Sequence, residues 1–265
     1  MDYVHGYTER EGVRLVDQAT TLSGILHRDI AYPAGSKVLE AGCGIGAQTV
    51  ILAGNSPDAA FTSVDLSEES LRAAAECVSS RGFTNVAFHR GDIFHLPYAD
   101  ESFDHVFLCF VLEHLPNPAE ALSCLRRVLK RGGTITVIEG DHGSTYFHPE
   151  SPYARKAIRC LVDIQAAMGG NSLIGRELYP LLKRSGYRDV AVSPRMVYVD
   201  SSKPDLVEGF TKNTFIAMVE GVRDRAIRSG LMGEADWSRG IRDLSRTTLE
   251  DGTFVYSFFI GKALK

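Results

Sequence analysis

The chain is poor in cysteine, in uninterrupted apolar sequence and in net charge. Its five cysteines (Cys43, Cys77, Cys109, Cys124, Cys160) are odd in number, widely spaced and set mostly in apolar stretches. That pattern argues against a disulfide framework or a zinc site and fits a reducing compartment. Nowhere do about 18 apolar residues run together, and the opening MDYVHGYTEREG is polar where a signal peptide would be apolar, so a soluble cytoplasmic protein with no membrane partner is expected. With 29 basic against 33 acidic residues the formal charge is −4, which gives no general attraction to nucleic acid or anionic lipid. What the sequence does have is apolar content of 44 % over 265 residues, ample for a sizeable core.

That content is patterned. Between residues 37 and 139, short runs rich in β-formers (KVLEA, AFTSVD, VAFHR, DHVFLCF, TITVIE) alternate with stretches of helical periodicity, the signature of a parallel sheet with crossover helices. Ser67 reads as the N-cap of the second such helix, with Glu68 and Glu69 in its first turn. Beyond Glu139 a polar stretch, DHGSTYFHPESP, reads as a loop, followed by helices over 153–168 and in RELYPLLKRSG. A sixth strand is expected over 187–199 and a seventh in GTFVYSFFIGKAL, with helical sequence from 203 to 250 inserted between them. The expected architecture is α/β, a seven-stranded sheet flanked by helices, in three parts: an N-terminal helical segment (1–36), a core (37–140), and a C-terminal half (141–265) with a helical insertion at about 203–250.

The densest local signal is VLEAGCGIGAQT. Gly42, Gly44 and Gly46 follow an apolar strand and precede a helix, where glycine permits positive φ and lets backbone approach a ligand. Alone the run also fits a dinucleotide fingerprint or a tight turn with no ligand. Asp65 at the end of the second strand and Asp92 after the third belong to the same sheet edge. The first suits the vicinal hydroxyls of a ribose, and the second, with the Ile93 N–H, suits an adenine edge. Either aspartate could instead only cap a turn.

Taken with GDIFHLPYADESFD, FVLEHLPNPAEAL and LKRGG, the Glu40-x-Gly42-x-Gly44-x-Gly46 run resembles the class I S-adenosylmethionine-dependent methyltransferases. Within them it is most similar to the type 11 group typified by ubiquinone and menaquinone biosynthesis. The resemblance covers roughly residues 35 to 140. It implies a Rossmann-like fold with S-adenosylmethionine as cofactor, residues 1–36 as an N-terminal helical lid, 37–140 as the cofactor-binding core and a helical substrate cap at about 203–250; no metal is expected. It further implies that Glu40 supports the glycine turn and the methionine amine region, that Asp65 with its neighbour Leu66 holds the ribose, that Asp92 and Ile93 hold the adenine, and that the backbone of Cys109 and Phe110 faces the methionine amine. Glu40 and the LPYADESFD loop are not explained by a nicotinamide enzyme.

Substrate residues are not implied by the resemblance. His142, directly after the fifth strand, is the leading candidate for a general base, with Tyr146 and His148 in the same polar stretch as further candidates. The Glu113-His114 pair reads as structural. Tyr3, His5 and Tyr7 are candidates to close over the methionine end, Tyr7 also as a cofactor contact, and Asn171 and Asn213 are weak substrate-contact candidates. In the insertion, Phe210, Phe215, Ile216, Met218 and Val219 form an apolar face whose default role is packing. The basic stretch from VRDRAIRSG to SRGIRDLSR is interleaved with Asp224, Glu234, Asp236 and Asp243, as on a salt-bridged surface helix. The expected activity is methyl transfer to a small-molecule O, N or C nucleophile, with an RNA or protein acceptor as the alternative and a non-catalytic cofactor-binding scaffold as a remoter one. The sequence assigns no oligomeric state.

Overall fold

The computed structural model describes the backbone of residues 9–265 and the side chains from Arg14 onward. Tyr3, His5 and Tyr7 lie outside the described residues. Strands β1 (Lys37–Ala41), β2 (Ala60–Asp65), β3 (Val86–Arg90), β4 (Phe103–Cys109), β5 (Leu129–His148), β6 (Arg188–Asp200) and β7 (Thr253–Leu264) form one sheet in the order β3-β2-β1-β4-β5-β7-β6. The pairs β1/β2, β2/β3, β1/β4 and β4/β5 are parallel. The reversal of strand order beside β1 makes the ends of β1, β2 and β4 the edge at which such sheets take ligands. The expected seven strands and the helical insertion between the last two are all present.

The helices that follow are α1 (Glu9–Leu26), α2 (Ala47–Asn55), α3 (Glu68–Ser80), α4 (Pro118–Val128), α5 (Pro152–Ala167) and α6 (Leu178–Arg184). Ser67 caps α3 as expected, its Oγ accepting from Ser70 N at 3.1 Å, and Pro118 opens α4 where a missing N–H costs nothing. The insertion starts with a turn at Pro204–Leu206 and a π-helical segment, Val207–Ile216, continuing into α7 (Ala217–Gly221), α8 (Arg223–Arg228) and α9 (Glu234–Arg246).

One expectation fails. The polar stretch after Glu139 is not a loop but the second half of β5, which runs unbroken to His148. Thr145 and Phe147 are buried while Tyr146 and His148 are exposed, the period of two that a strand requires. Side-chain bonding offsets the low β-propensity of the polar residues: Ser144 Oγ donates to Asp141 O at 2.7 Å and accepts from Ser257 N at 3.0 Å. The strand also starts earlier than TITVIE, at Leu129.

The chain folds into two compact units. One comprises Ser23–Glu139, Ile174–Pro194 and Phe259–Lys265. Its core sets Leu39, Val106, Leu108 and Val137 of the sheet with Leu122 and Leu125 of α4 and Leu178 and Leu182 of α6, all fully buried, as strands covered by crossover helices must be. The other comprises Gly140–Leu173, Arg195–Phe258 and, among the described residues, those from Glu9 to Leu22. Within it α5 packs on α9, where the bare Cα of Gly240 makes room for the Tyr153 carbonyl and the Arg239 guanidinium lies 4.1 Å from the Tyr153 ring centre. Among the described residues no helix is long and apolar enough to cross a membrane.

Candidate functional site

The ligand-facing edge of the first unit is built around the turn from β1 into α2. Gly42, Gly44 and Gly46 have φ of 77°, 52° and 80°, all in the left-handed region that side chains disfavour. Their surroundings separate their roles. A Cβ on Gly42 would come within 2.6 Å of Val111 Cγ2 and one on Gly46 within 2.9 Å of Ala74 Cα, whereas at Gly44 nothing lies within 4 Å. Gly42 and Gly46 are therefore needed for packing. Gly44 leaves an open cradle in which a ligand can meet the backbone, at the start of a helix with no side-chain cap.

Asp65 is fixed beside this cradle. Its Oδ2 accepts from Gly44 N at 2.8 Å and its Oδ1 from Ser67 N at 2.9 Å. The turn-capping role is thus realised, and each oxygen keeps a further lone pair for a hydroxyl donor. The next residue, Leu66, is 57 % exposed, an apolar surface beside two anchored carboxylate oxygens. Asp92 likewise caps a short 3₁₀ turn, Oδ1 accepting from Phe94 N at 2.9 Å with His95 Nδ1 3.1 Å from Oδ2. Ile93 beside it is buried. Open backbone at Gly44, the anchored Asp65 carboxylate and the exposed Leu66 side chain thus lie together on this edge.

Glu40 lies beneath the turn. Its Oε2 accepts from Thr49 Oγ1 at 2.7 Å and Ser63 Oγ at 2.6 Å, tying β1 to α2 and β2. Burial raises its carboxyl to about 7, against the two hydroxyls that favour the anion.

The segment after β4 closes the edge. Phe110 has φ of 58°, left-handed and costly for a bulky residue, and its N–H donates to Ile138 O at 2.9 Å. Directly after it, Val111 N at 3.1 Å and Leu112 N at 2.7 Å both donate to Glu139 Oε1. Glu139 is fully buried, and its Oε2 has no hydrogen-bond partner among the described residues. Burial first, then the Glu113 charge, holds its carboxyl well above the usual carboxylate range. Burial likewise pushes the neighbouring Cys109 thiol up. His114 Nε2 lies 3.6 Å from Glu113 Oε1.

The second unit contains its own polar centre. His142, buried, shares a hydrogen bond of 2.7 Å between Nδ1 and Tyr256 Oη, and its backbone N–H donates to Ser172 O at 2.9 Å. Phe215 meets the imidazole edge-on at 6.0 Å, and Phe210 meets Tyr256 at 5.6 Å. Gly140 is required here, because a Cβ on it would overlap the Tyr256 hydroxyl. Asp141 Oδ1 accepts from Gly143 N at 3.0 Å. Tyr146 is 65 % exposed and His148 is also exposed; among the described residues neither hydrogen-bonds to His142 or Tyr256. Asn171 caps a local turn through Leu173 N at 3.0 Å, and Asn213 is exposed.

Elsewhere in this unit, Phe210, Phe215, Ile216, Met218 and Val219 are all buried, in keeping with packing. The basic stretch is salt-bridged: Arg223 pairs with Asp224 and Glu234, and Arg239 with Asp243.

Sequence reading missed two residues. Glu139 left a signal, an acid at the end of an otherwise apolar buried strand. Tyr256 left none, being one aromatic among several in a strand-forming run.

Residues 39–137 match a family model described as a methyltransferase domain. The chain is 31 % identical over 208 residues to an uncharacterized 37.1 kDa protein in transposon TN4556 of Streptomyces fradiae, covering 77 % of this chain and 59 % of that protein. It is 35 % identical over 113 residues to demethylmenaquinone methyltransferase of Staphylococcus aureus, covering 42 % and 46 % respectively. The chain thus spans about half the length of the curated relatives it matches. A solved structure with the same fold is a Haemonchus contortus phosphoethanolamine N-methyltransferase 2 bound to phosphomonomethylethanolamine and S-adenosylhomocysteine, at TM-score 0.60 and 18 % identity over 97 % of this chain and 58 % of that one.

Proposed function

We propose that this chain, whose residues 39–137 match a methyltransferase domain model and whose fold is shared with a solved N-methyltransferase, is a class I, Rossmann-like methyltransferase that transfers a methyl group from S-adenosylmethionine to a small-molecule O, N or C nucleophile. The observation that carries the cofactor half is the Gly44 cradle with Asp65 anchored beside it. Asp65 and Leu66 take the ribose, Asp92 and Ile93 the adenine, and the Cys109–Phe110 backbone the methionine amine. When bound, the cofactor supplies an electrophilic methyl on a good leaving group. The protein's share is alignment and exclusion of water, for which positioning contributes about 7–11 kcal/mol, and removal of a proton where the acceptor carries one.

The small-molecule reading is supported by the names of the matched demethylmenaquinone and phosphoethanolamine methyltransferases and by the pairing of Arg223, Arg239 and Arg246 with acids, which makes these three poorly suited to RNA. His142 is the base in this reading. With a proton on Nδ1 donated to Tyr256 Oη, the lone pair sits on Nε2, the nitrogen that takes the substrate proton. The helical sequence at about 203–250 acts as the substrate cap. The test is thermal: S-adenosylmethionine or S-adenosylhomocysteine at about 100 times Kd stabilises the fold by about 2.7 kcal/mol, while NAD and NADP leave the melting temperature unchanged. Stabilisation by NAD alone refutes the cofactor assignment, and absence of turnover with every acceptor tried alongside tight cofactor binding favours a scaffold.

A further inference from the structure

We propose that Glu139 is a positioning residue for the methionine end of the cofactor, its buried carboxyl holding the backbone of residues 110–113 in the shape that binds the amine. The inference rests on the cofactor reading above. An extended strand end running into a 3₁₀ turn has no intrinsic reason to place a phenylalanine at φ of 58°; such strain persists only where the surroundings enforce it. Two restraints do so here. Phe110 N is bonded to Ile138 O, and the next two N–H groups, of Val111 and Leu112, converge on the single oxygen Glu139 Oε1. The two restraining groups are neighbours on β5, so that strand grips the end of β4 at adjacent residues.

The same grip reaches the glycine turn, since Val111 Cγ2 fills the space that a side chain on Gly42 would need. Displacing Val111 therefore disturbs the backbone assigned to the methionine amine and the glycine turn beside it, while Asp65 keeps its bond from Ser67 N and Asp92 its bond from Phe94 N. An apolar residue at 139 would satisfy the core equally well, as Ile135, Val137 and Ile138 on the same strand do. A carboxyl buried there with Oε2 unpartnered carries a cost that the fold itself does not require. Glutamine, which has the shape of the protonated acid and keeps the accepting oxygen, preserves the grip. Leucine abolishes it, and aspartate, one methylene shorter, cannot reach both N–H groups.

Titration calorimetry on the whole chain tests this with two probes, S-adenosylhomocysteine and 5′-methylthioadenosine, the second lacking the amino-acid end. Glu139→Leu and Glu139→Asp are expected to weaken S-adenosylhomocysteine by about 10–100-fold, the loss of two buried hydrogen bonds, with 5′-methylthioadenosine within about threefold of wild type and Glu139→Gln near wild type for both. If Glu139→Leu fails to fold, Glu139→Asp carries the same comparison. Equal losses for the two probes, or wild-type affinity in Glu139→Asp, overturn the proposal. Wild-type protein that binds neither probe overturns the cofactor reading, and the proposal with it.

Discussion

Tyr256 and His142, 114 residues apart in the chain, meet at 2.7 Å between Oη and Nδ1. Gly140, two residues before His142 on the same strand, is the residue whose missing side chain admits the hydroxyl. A base oriented by a second hydrogen-bonding group is the arrangement that proton abstraction calls for.

If His142 is the base, His142→Ala lowers turnover by about 10²–10⁴-fold while S-adenosylhomocysteine affinity stays unchanged. Tyr256→Phe, which keeps the ring and removes the oxygen, loses about 10–100-fold by analogy with other groups that orient a functional histidine. Equal turnover in wild type and His142→Ala would move the catalytic role elsewhere, with exposed Tyr146 and His148 the next to test.

Asp65→Ala is expected to weaken cofactor binding by roughly 2–4 kcal/mol, from lost ribose hydrogen bonds at about 1.5–3 each to a charged acceptor. Because Asp65 also holds the Gly44 and Ser67 N–H groups, the variant loosens the turn itself. Comparing melting temperatures of the ligand-free proteins separates the two effects. A loss of affinity of tenfold or less places Asp65 outside the ribose site.

Gly42 and Gly44 give opposite expectations. Gly42→Ala places a methyl within 2.6 Å of a Val111 methyl at positive φ, and costs stability by about 1–3 kcal/mol even without ligand. Gly44→Ala meets no atom within 4 Å, so beyond the backbone strain of its φ its main effect is to fill the cradle and weaken cofactor binding. Urea unfolding and calorimetry on both variants check the contrast. Ligand affinity untouched in Gly44→Ala would show that the ligand does not approach that backbone.

Much of this site was legible before any coordinates, because its signals are local. A turn needs its glycines within a few residues, and an acid at a strand end is visible in the strand. The type and order of the elements from 37 to 139 followed from periodicity for the same reason. What escaped was non-local. Glycine, serine and aspartate in EGDHGSTYFH argue for a loop, and what makes that stretch a strand is pairing beside the last strand, far along the chain, to which Ser144 adds by accepting from Ser257 N. The two N–H groups that explain the acid at 139 come from residues 27 and 28 positions earlier, and the partner of His142 comes from the last strand.

The final prediction concerns acid stability. His27 is 1 % exposed beside Phe107, and burial lowers its ionisation from 6.5 to about 4. Asp29 and Gln48 act the other way, though Gln48 does not reach hydrogen-bonding geometry, since both ring nitrogens lack such a partner among the described residues. A depressed histidine means that the unfolded chain binds the extra proton between these two values, so stability present above pH 6.5 is lost as pH falls toward 4. The shift corresponds to roughly 3 kcal/mol. Glu40, raised to about 7, opposes it, losing stability as pH rises from the ordinary carboxylate range, so the wild-type curve alone mixes the two. The difference in unfolding free energy between wild type and His27→Leu isolates the histidine: any packing offset is independent of pH, whereas the titrating part shifts in favour of the variant by about 3 kcal/mol between neutral pH and pH 4. A difference that stays flat across that range would mean that the folded protein accommodates a charged His27.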